Sequence, residues 1–238
     1  MKRNIEIILQ HGWAFDSSCF RGWMPHLREN QDCEISIQTP DRGYFGEAKS
    51  VKPFSESDAL KIVVAHSLGM HLLPKEILQS ADLLVLSAVF RHFHAGSRLE
   101  QKRSAKAVQL MQKRLLEEPL AVLDDFYGSV YSPLLTSQML LMRKISTLNP
   151  TLLIEDLQLL DTNEFDLDSI SHVGKILIVH GSKDIVVPPS HAHELNEMLP
   201  NSSLVLFEGA GHSLPLTHVA PVWISLRNTL RHLLTVNV

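Results

Sequence analysis

The chain has 238 residues, 45% of them hydrophobic and 20% charged, with a formal net charge of -4 and a pI near 6.3. That is the composition of a globular chain long enough for one α/β domain with a sizeable core and an insertion. The mild acidity excludes the strongly basic field of a nucleic-acid binder, and no apolar run approaches the roughly 20 residues that span a bilayer.

Met1–Leu9 is basic, then apolar. Its apolar part is short, carries Glu6 and runs into His11-Gly12-Trp13 without a small-residue cleavage site, so Ile5–Leu9 reads as a strand rather than a signal peptide. A loop follows and opens on a helix around Cys19–Leu27, where Phe20, Trp23 and Leu27 share a helical spacing and Ser17 or Ser18 can cap. Glu34–Gln38 alternates like a second strand and enters the turn-rich Thr39–Gly46. After the polar Glu47–Ser55 the pattern predicts a short helix around Ser57–Leu60, then a strand at Ile62–Ala65. Met70–Gln79 reads as one helix, with Pro74 in its first turns, and Leu83–Leu86 as a buried strand. Alternating strands and helices imply a parallel sheet with helices on both faces.

The rhythm breaks between Arg91 and Asp168, where no buried strand is legible. Ser97–Glu118, Pro119–Tyr131, Ser137–Thr147 and Pro150–Leu160 read as helices, with breaks at Gly128, Ser132-Pro133 and Asn149-Pro150. Residues 1–90 and 169–238 are thus expected to form the core, and 91–168 an all-helical insertion. Strands resume at Lys175–His180 and Leu204–Phe207, with helices at Pro189–Leu199 and Val219–Leu234.

The chemistry gathers around Ile62-Val63-Val64-Ala65-His66-Ser67-Leu68-Gly69-Met70. A buried strand, a sharp turn and a helix produce this pattern, with Ser67 at the apex between the small residues Ala65 and Gly69. A serine hydroxyl is a poor nucleophile at neutral pH. It needs an imidazole to take its proton and a carboxylate to orient that imidazole. In open α/β sheets such groups collect at the C-terminal ends of strands. Asp184 follows the Lys175–His180 strand and His212 follows the last one, in the order Ser, Asp, His. Asp161, Asp166 and Asp168 compete for the acid's place. His66 is adjacent to the serine but should point away from it. The backbone N–H groups of Leu68 and Trp13 are the expected donors to a tetrahedral oxyanion.

Other signals are blander. The glycines at 209 and 211 fit neither a P-loop nor a dinucleotide fingerprint. His92/His94 and His191/His193 are H-x-H pairs with no third ligand nearby, so no metal is expected. Cys19 and Cys33 lack metal spacing and read as free thiols.

His11-Gly12-Trp13, Asp41-Arg42-Gly43-Tyr44-Phe45-Gly46, His66-Ser67-Leu68-Gly69, Leu157–Thr162, Gly181-Ser182-Lys183-Asp184 and Gly211-His212 together resemble the α/β-hydrolase superfamily over essentially the whole chain. More narrowly, they look like the pimeloyl-acyl-carrier-protein methyl ester esterases of biotin synthesis. Ala65 departs from the usual first elbow glycine, and Arg42 from a smaller or apolar residue. The usual N-terminal β-hairpin is missing, so a mostly parallel sheet of about six strands is expected. The resemblance implies a cytoplasmic, monomeric serine carboxylesterase without cofactor, whose helical insertion is a lid. Its substrate would be a methyl ester on an acyl chain borne by acyl carrier protein. Arg91, Arg98, Lys102, Arg103, Lys106, Lys113 and Arg114 face a single acid, Glu100, before Glu117. On a helix Arg98, Lys102, Lys106 and Lys113 fall within about 80° of one another, a basic face suited to an acidic carrier. Two other readings stand beside this one. The first is a general short-chain esterase, thioesterase or triad-dependent lyase; the second is a ligand receptor on a hydrolase fold.

Overall fold

A computed structural model of the protein describes residues 3–28, 33–134 and 147–236. In chain order the elements are β1 (Arg3–Gln10), a 3-10 helix (Ser17–Trp23), α1 (Met24–Arg28), β2 (Cys33–Gln38), β3 (Leu60–His66), α2 (Gly69–Leu72), α3 (Lys75–Gln79) and β4 (Leu83–Ser87). There follow α4 (Arg98–Glu117), α5 (Pro119–Tyr131), α6 (Pro150–Thr162), a 3-10 turn (Leu167–Ile170), β5 (Lys175–Gly181), α7 (Ser190–Met198), β6 (Ser202–Phe207), α8 (Leu214–Thr217) and α9 (Val219–Val236). The strands form one sheet in the order β2-β1-β3-β4-β5-β6, and every pairing is parallel. The chain leaves β1 outward to β2, then returns to the other side of β1 and advances to β6. The direction of winding therefore reverses between β1 and β3, and the crevice at their C-terminal ends is where such sheets bind ligands.

The central strands are apolar on both sides because both faces are covered. Ile7, Leu9, Val64, Val85 and Val179 meet Trp23, Leu27 and Leu226 on one face. Ile8, Val63, Leu84 and Ile178 meet Met70, Leu78 and Leu195 on the other. Every one of these side chains is at most 2% exposed.

Two predicted helices differ from the structure. No helix forms at Ser57–Leu60. There the Ser55 and Ser57 hydroxyls both donate to the Glu6 carboxylate, and the Ser55 N–H joins them at 3.0 Å. Serine side chains bonded in this way compete with helical backbone bonds. The Met70–Gln79 helix is two short helices. Leu73, just before Pro74, is extended at φ -81° and ψ 141°. A proline ring disfavours the α conformation in the residue before it, so Pro74 breaks the helix rather than sitting inside its first turns. Gly128 does not break α5, which runs through it. The predicted helix at Ser137–Thr147 lies outside the described residues, apart from its last residue.

The helices between β4 and β5 match expectation closely. Ser97 and Glu100 close a reciprocal capping box at the start of α4, and Pro119 and Pro150 each sit in the first turn of their helix. These helices are tied to two loops of the sheet. Trp13 Nε1 donates to the Leu153 carbonyl at 2.9 Å, and the Tyr127 hydroxyl to the Ala14 carbonyl at 2.5 Å. Arg42 grips the buried Asp156 with two bonds of 2.8 Å, and the Tyr44 hydroxyl adds a third at 2.5 Å. Arg42, the departure from a smaller residue, is thus the partner of a carboxylate on α6. That carboxylate raises the Tyr44 phenol well above its usual range, after burial.

Candidate active site

Ser67 occupies the turn between β3 and α2 with φ +54°, a left-handed conformation that non-glycine residues adopt only when their surroundings force it. Its N–H donates to the Ser87 carbonyl at 2.9 Å, which pins the turn to the end of β4. Two glycines let neighbouring backbone close on it. A Cβ at Gly69 would lie 2.8 Å from the Gln10 and His11 carbonyls, and one at Gly12 would lie 2.8 Å from Ser67 Cβ. The loop after β1 is therefore packed directly against the turn after β3, at the reversal point of the sheet.

The three candidate residues meet. Ser67 Oγ donates to His212 Nε2 at 3.1 Å, and His212 Nδ1 donates to Asp184 Oδ2 at 2.8 Å. All are buried: Ser67 is 7% exposed, Asp184 4% and His212 1%. Asp184 Oδ1 accepts the N–H groups of Val186 and Val187, each at 2.9 Å, which fixes the carboxylate in its loop. Burial opposes ionisation of Asp184. The facing His212 and His180 outweigh it and hold the carboxyl below the usual carboxylate range. Of the competing acids, Asp161 pairs instead with His94, and Asp166 with Lys75. Among the described hydrogen bonds the N–H groups of Trp13 and Leu68 have no acceptor. The arrangement can move a proton from a hydroxyl to an imidazole held by a carboxylate.

No family model matches the chain. An uncharacterized protein of Mycobacterium tuberculosis is 46% identical over 37 residues, which is 16% of this chain and 11% of that one. The likeness to solved structures runs nearly end to end. An esterase from Exiguobacterium antarcticum matches with a TM-score of 0.78 and 15% identity, over 97% of this chain and 93% of that one. A bromoperoxidase from Bacillus anthracis matches at 0.76 and 18%, over 96% and 92%. A thermophilic esterase from Thermogutta terrifontis matches at 0.71 and 16%, over 98% and 91%. The chain has the α/β-hydrolase fold.

Within that fold, three buried histidines around the candidate triad carry signals the sequence did not offer. The Nε2–H of His66 donates to the His212 carbonyl at 3.0 Å, bracing the backbone of that residue. Burial, then the neighbouring His212, pushes the His66 imidazole down to about 3, so it is neutral. His180 donates to the Val187 carbonyl at 2.8 Å, and the same nitrogen is 3.3 Å from Asp184 Oδ2. His191, in the first turn of α7, is likewise pushed down by burial, to about 4. A histidine two residues into a helix looks like any polar helix residue in sequence, and only its burial marks it out.

The four residues expected to form the basic face lie on α4. Arg98, Lys102, Lys106 and Lys113 are exposed, and none pairs with a carboxylate among the described residues. Arg91 is taken by Glu164 and Glu194, and Arg114 by Glu118 and Asp125. Among the described residues no group of three His, Cys, Asp or Glu could hold a metal ion, and no helix is long and apolar enough to cross a membrane. Cys33 is a free thiol.

Proposed function

We propose that the protein is a serine hydrolase of carboxylic esters, working through an acyl-enzyme intermediate. One observation carries the reading: Ser67, at a left-handed turn, lies 3.1 Å from a histidine that is itself 2.8 Å from a buried carboxylate. Ser67 Oγ attacks the ester carbonyl while His212 takes its proton. Asp184 keeps the imidazole in the tautomer that can accept, and balances the imidazolium that forms. The Leu68 and Trp13 N–H groups donate to the oxyanion, a contribution on the order of 3 kcal/mol each. His212 then protonates the leaving alcohol and activates water to release the acid. The reaction as drawn uses no cofactor.

The substrate we favour is a methyl ester on an acyl chain carried by acyl carrier protein, in the cytoplasm. The sequence resemblance supports it, as does the exposed basic face of Arg98, Lys102, Lys106 and Lys113 on the insertion that would act as lid. Lys102→Glu with Lys106→Glu should raise KM for a carrier-bound ester much more than for a small soluble ester. Equal effects on both would sink the carrier proposal. Labelling of the wild type by a fluorophosphonate, lost in Ser67→Ala, tests the hydrolase reading itself. A wild type that takes no label at Ser67 would overturn it.

A further inference from the structure

A second Ser–His–Asp arrangement lies in the helical insertion. His94, 5% exposed, stands in the loop before α4. Its Nε2 is 2.8 Å from Asp161 Oδ1 on α6, and its Nδ1 is 2.8 Å from Ser104 Oγ on α4. These contacts decide the proton positions. A carboxylate can only accept, so Nε2 carries the hydrogen. In the neutral ring Nδ1 is then an acceptor, and Ser104 must be the donor. The serine oxygen keeps both lone pairs free of this bond. This is the bonding of Ser67, His212 and Asp184 with the two ring nitrogens exchanged.

Ser104 also faces space. It lines a cavity of about 410 Å³ between α4, α5 and the loop after Asp184. The walls are mostly apolar, built from Phe93, Val108, Met111, Phe126 and Val186, with Arg114, Asp125 and Ser129 supplying a polar part. A hydroxyl whose proton is held by a buried imidazole, at the edge of an apolar cavity, is placed to meet the carbonyl of an ester whose chain enters that cavity.

We propose that Ser104 is a second nucleophilic serine, which accepts one acyl group from an activated carboxylic ester and holds it in this cavity. Ser104 Oγ bonds to the acyl carbon as its proton passes to His94 Nδ1. The tetrahedral adduct collapses, the bond to the leaving oxygen breaks, and the proton on His94 returns to that oxygen as the alcohol departs. The products are acyl-Ser104 and one alcohol, with no oxidant, reductant or metal involved. Ser104 lies inside α4, where the backbone N–H groups are committed to carbonyls one turn back. Among the described residues α4 offers Ser104 no free backbone N–H for its oxyanion, so only an ester with a good leaving group acylates it, and the alkyl ester formed is released slowly. The site is therefore an acceptor rather than a turnover centre.

The test uses the full-length Ser67→Ala protein, so it does not depend on what Ser67 does. Treated with p-nitrophenyl hexanoate, it should release one p-nitrophenolate per chain and gain one hexanoyl group by intact mass. Peptide mapping should place that group on Ser104. Adding Ser104→Ala should abolish the adduct, and adding His94→Gln should slow its formation by about 10²-fold. Ser104→Ala alone should leave turnover at Ser67 unchanged, which also reports that the variant folds. Absence of an adduct, an adduct on another residue, or acylation at an unchanged rate in His94→Gln would each overturn the proposal.

Discussion

Ser67 and Ser104 make the same two hydrogen-bonded steps to a carboxylate, yet their backbones have almost nothing in common. Ser67 sits where a strand stops, at φ +54°, with Leu68 and Trp13 N–H groups outside any regular ladder. Ser104 sits in the interior of a 20-residue helix. Three side chains are enough to activate a hydroxyl, but stabilising the oxyanion takes backbone that secondary structure has not already used. Such backbone occurs at the reversal point of the sheet, where the loop after β1 is pressed against the turn after β3. Among its described residues the helical insertion has no counterpart to it.

Substituting the two acids should separate the centres most sharply. Asp184→Asn keeps the shape but permits the wrong His212 tautomer, and kcat for a small ester should fall about 10³–10⁴-fold. Asp161→Asn should leave that kcat within about twofold. It should instead cost about 1 kcal/mol of stability, because a half-buried bond to His94 is weakened. Steady-state kinetics and urea unfolding of both variants check this pair. If Asp161→Asn lowered kcat as far as Asp184→Asn, the two centres could not be independent.

The next effect belongs to the backbone. Gly69→Val would set a branched side chain against the Gln10 and His11 carbonyls, which a Cβ already approaches to 2.8 Å. Neither backbone oxygen can swing away, so the start of α2 must shift and carry the Leu68 N–H with it. The expected loss in kcat at Ser67 is on the order of 10²-fold, with acylation of Ser104 unaffected. Rates for the two serines, measured on one preparation, would expose any shared damage.

A smaller effect should come from the strap that joins the two regions. Asp156 is 1% exposed and accepts three hydrogen bonds from Arg42 and Tyr44. Asp156→Asn would remove the negative charge and turn one of the two accepting oxygens into an NH2 donor, so the guanidinium and the phenol could not both keep their bonds. Because Arg42 is itself 39% exposed, water screens part of the loss. A destabilisation of about 2–3 kcal/mol is expected, below the usual figure for a fully buried pair. Urea midpoints measure it, and a change under 0.5 kcal/mol, the ordinary surface range of about that size, would show that the strap is not holding α6.

What the sequence displayed and what it hid follow from the same physics. The strands, Ser67, Asp184 and His212 were legible because strand ends concentrate chemistry and the elbow demands small neighbours. The helices of the insertion were legible from Ser97, Pro119 and Pro150, whose capping roles are local. The His94 pair with Asp161 was not, because 67 residues separate the partners and neither position has a pattern of its own. His94 read as half of an unfinished H-x-H pair, and Asp161 as a rival for the triad acid. Arg42 read as a departure from a motif because its partner, Asp156, lies 114 residues away. The missing helix at Ser57–Leu60 failed for a similar reason: the acceptor that holds Ser55 and Ser57 in a loop is Glu6, on a different strand. Local signals survive in a sequence, whereas a polar group's distant partner does not.

The last distinction concerns acid. The Ser67 centre is surrounded by histidines that burial keeps neutral: His66, pushed down to about 3, and His71 and His191, each to about 4. Both ring nitrogens of His71 are engaged, one by the Phe90 carbonyl and the other by Asn163, so it has no free position to accept a proton. In the unfolded chain these imidazoles titrate near 6.5. Above that pH both states are neutral and the groups contribute nothing to the pH slope. Below it the unfolded chain binds protons that the folded one refuses, so stability falls as pH drops from about 6.5 towards about 4. Each histidine adds at most about 1.4 kcal/mol per pH unit to that slope. Asp184 acts lower down with the same sign. Its depressed folded pKa gives stability that is complete above about 4, the unfolded value, and is lost below it. Urea midpoints between about pH 7.5 and about pH 5 should therefore decline, and His71→Gln should remove about one proton from the slope. A slope unchanged in that variant would mean that the folded protein already accepts a proton at His71, and that its pocket against Phe90 and Phe165 is wetter than its packing implies.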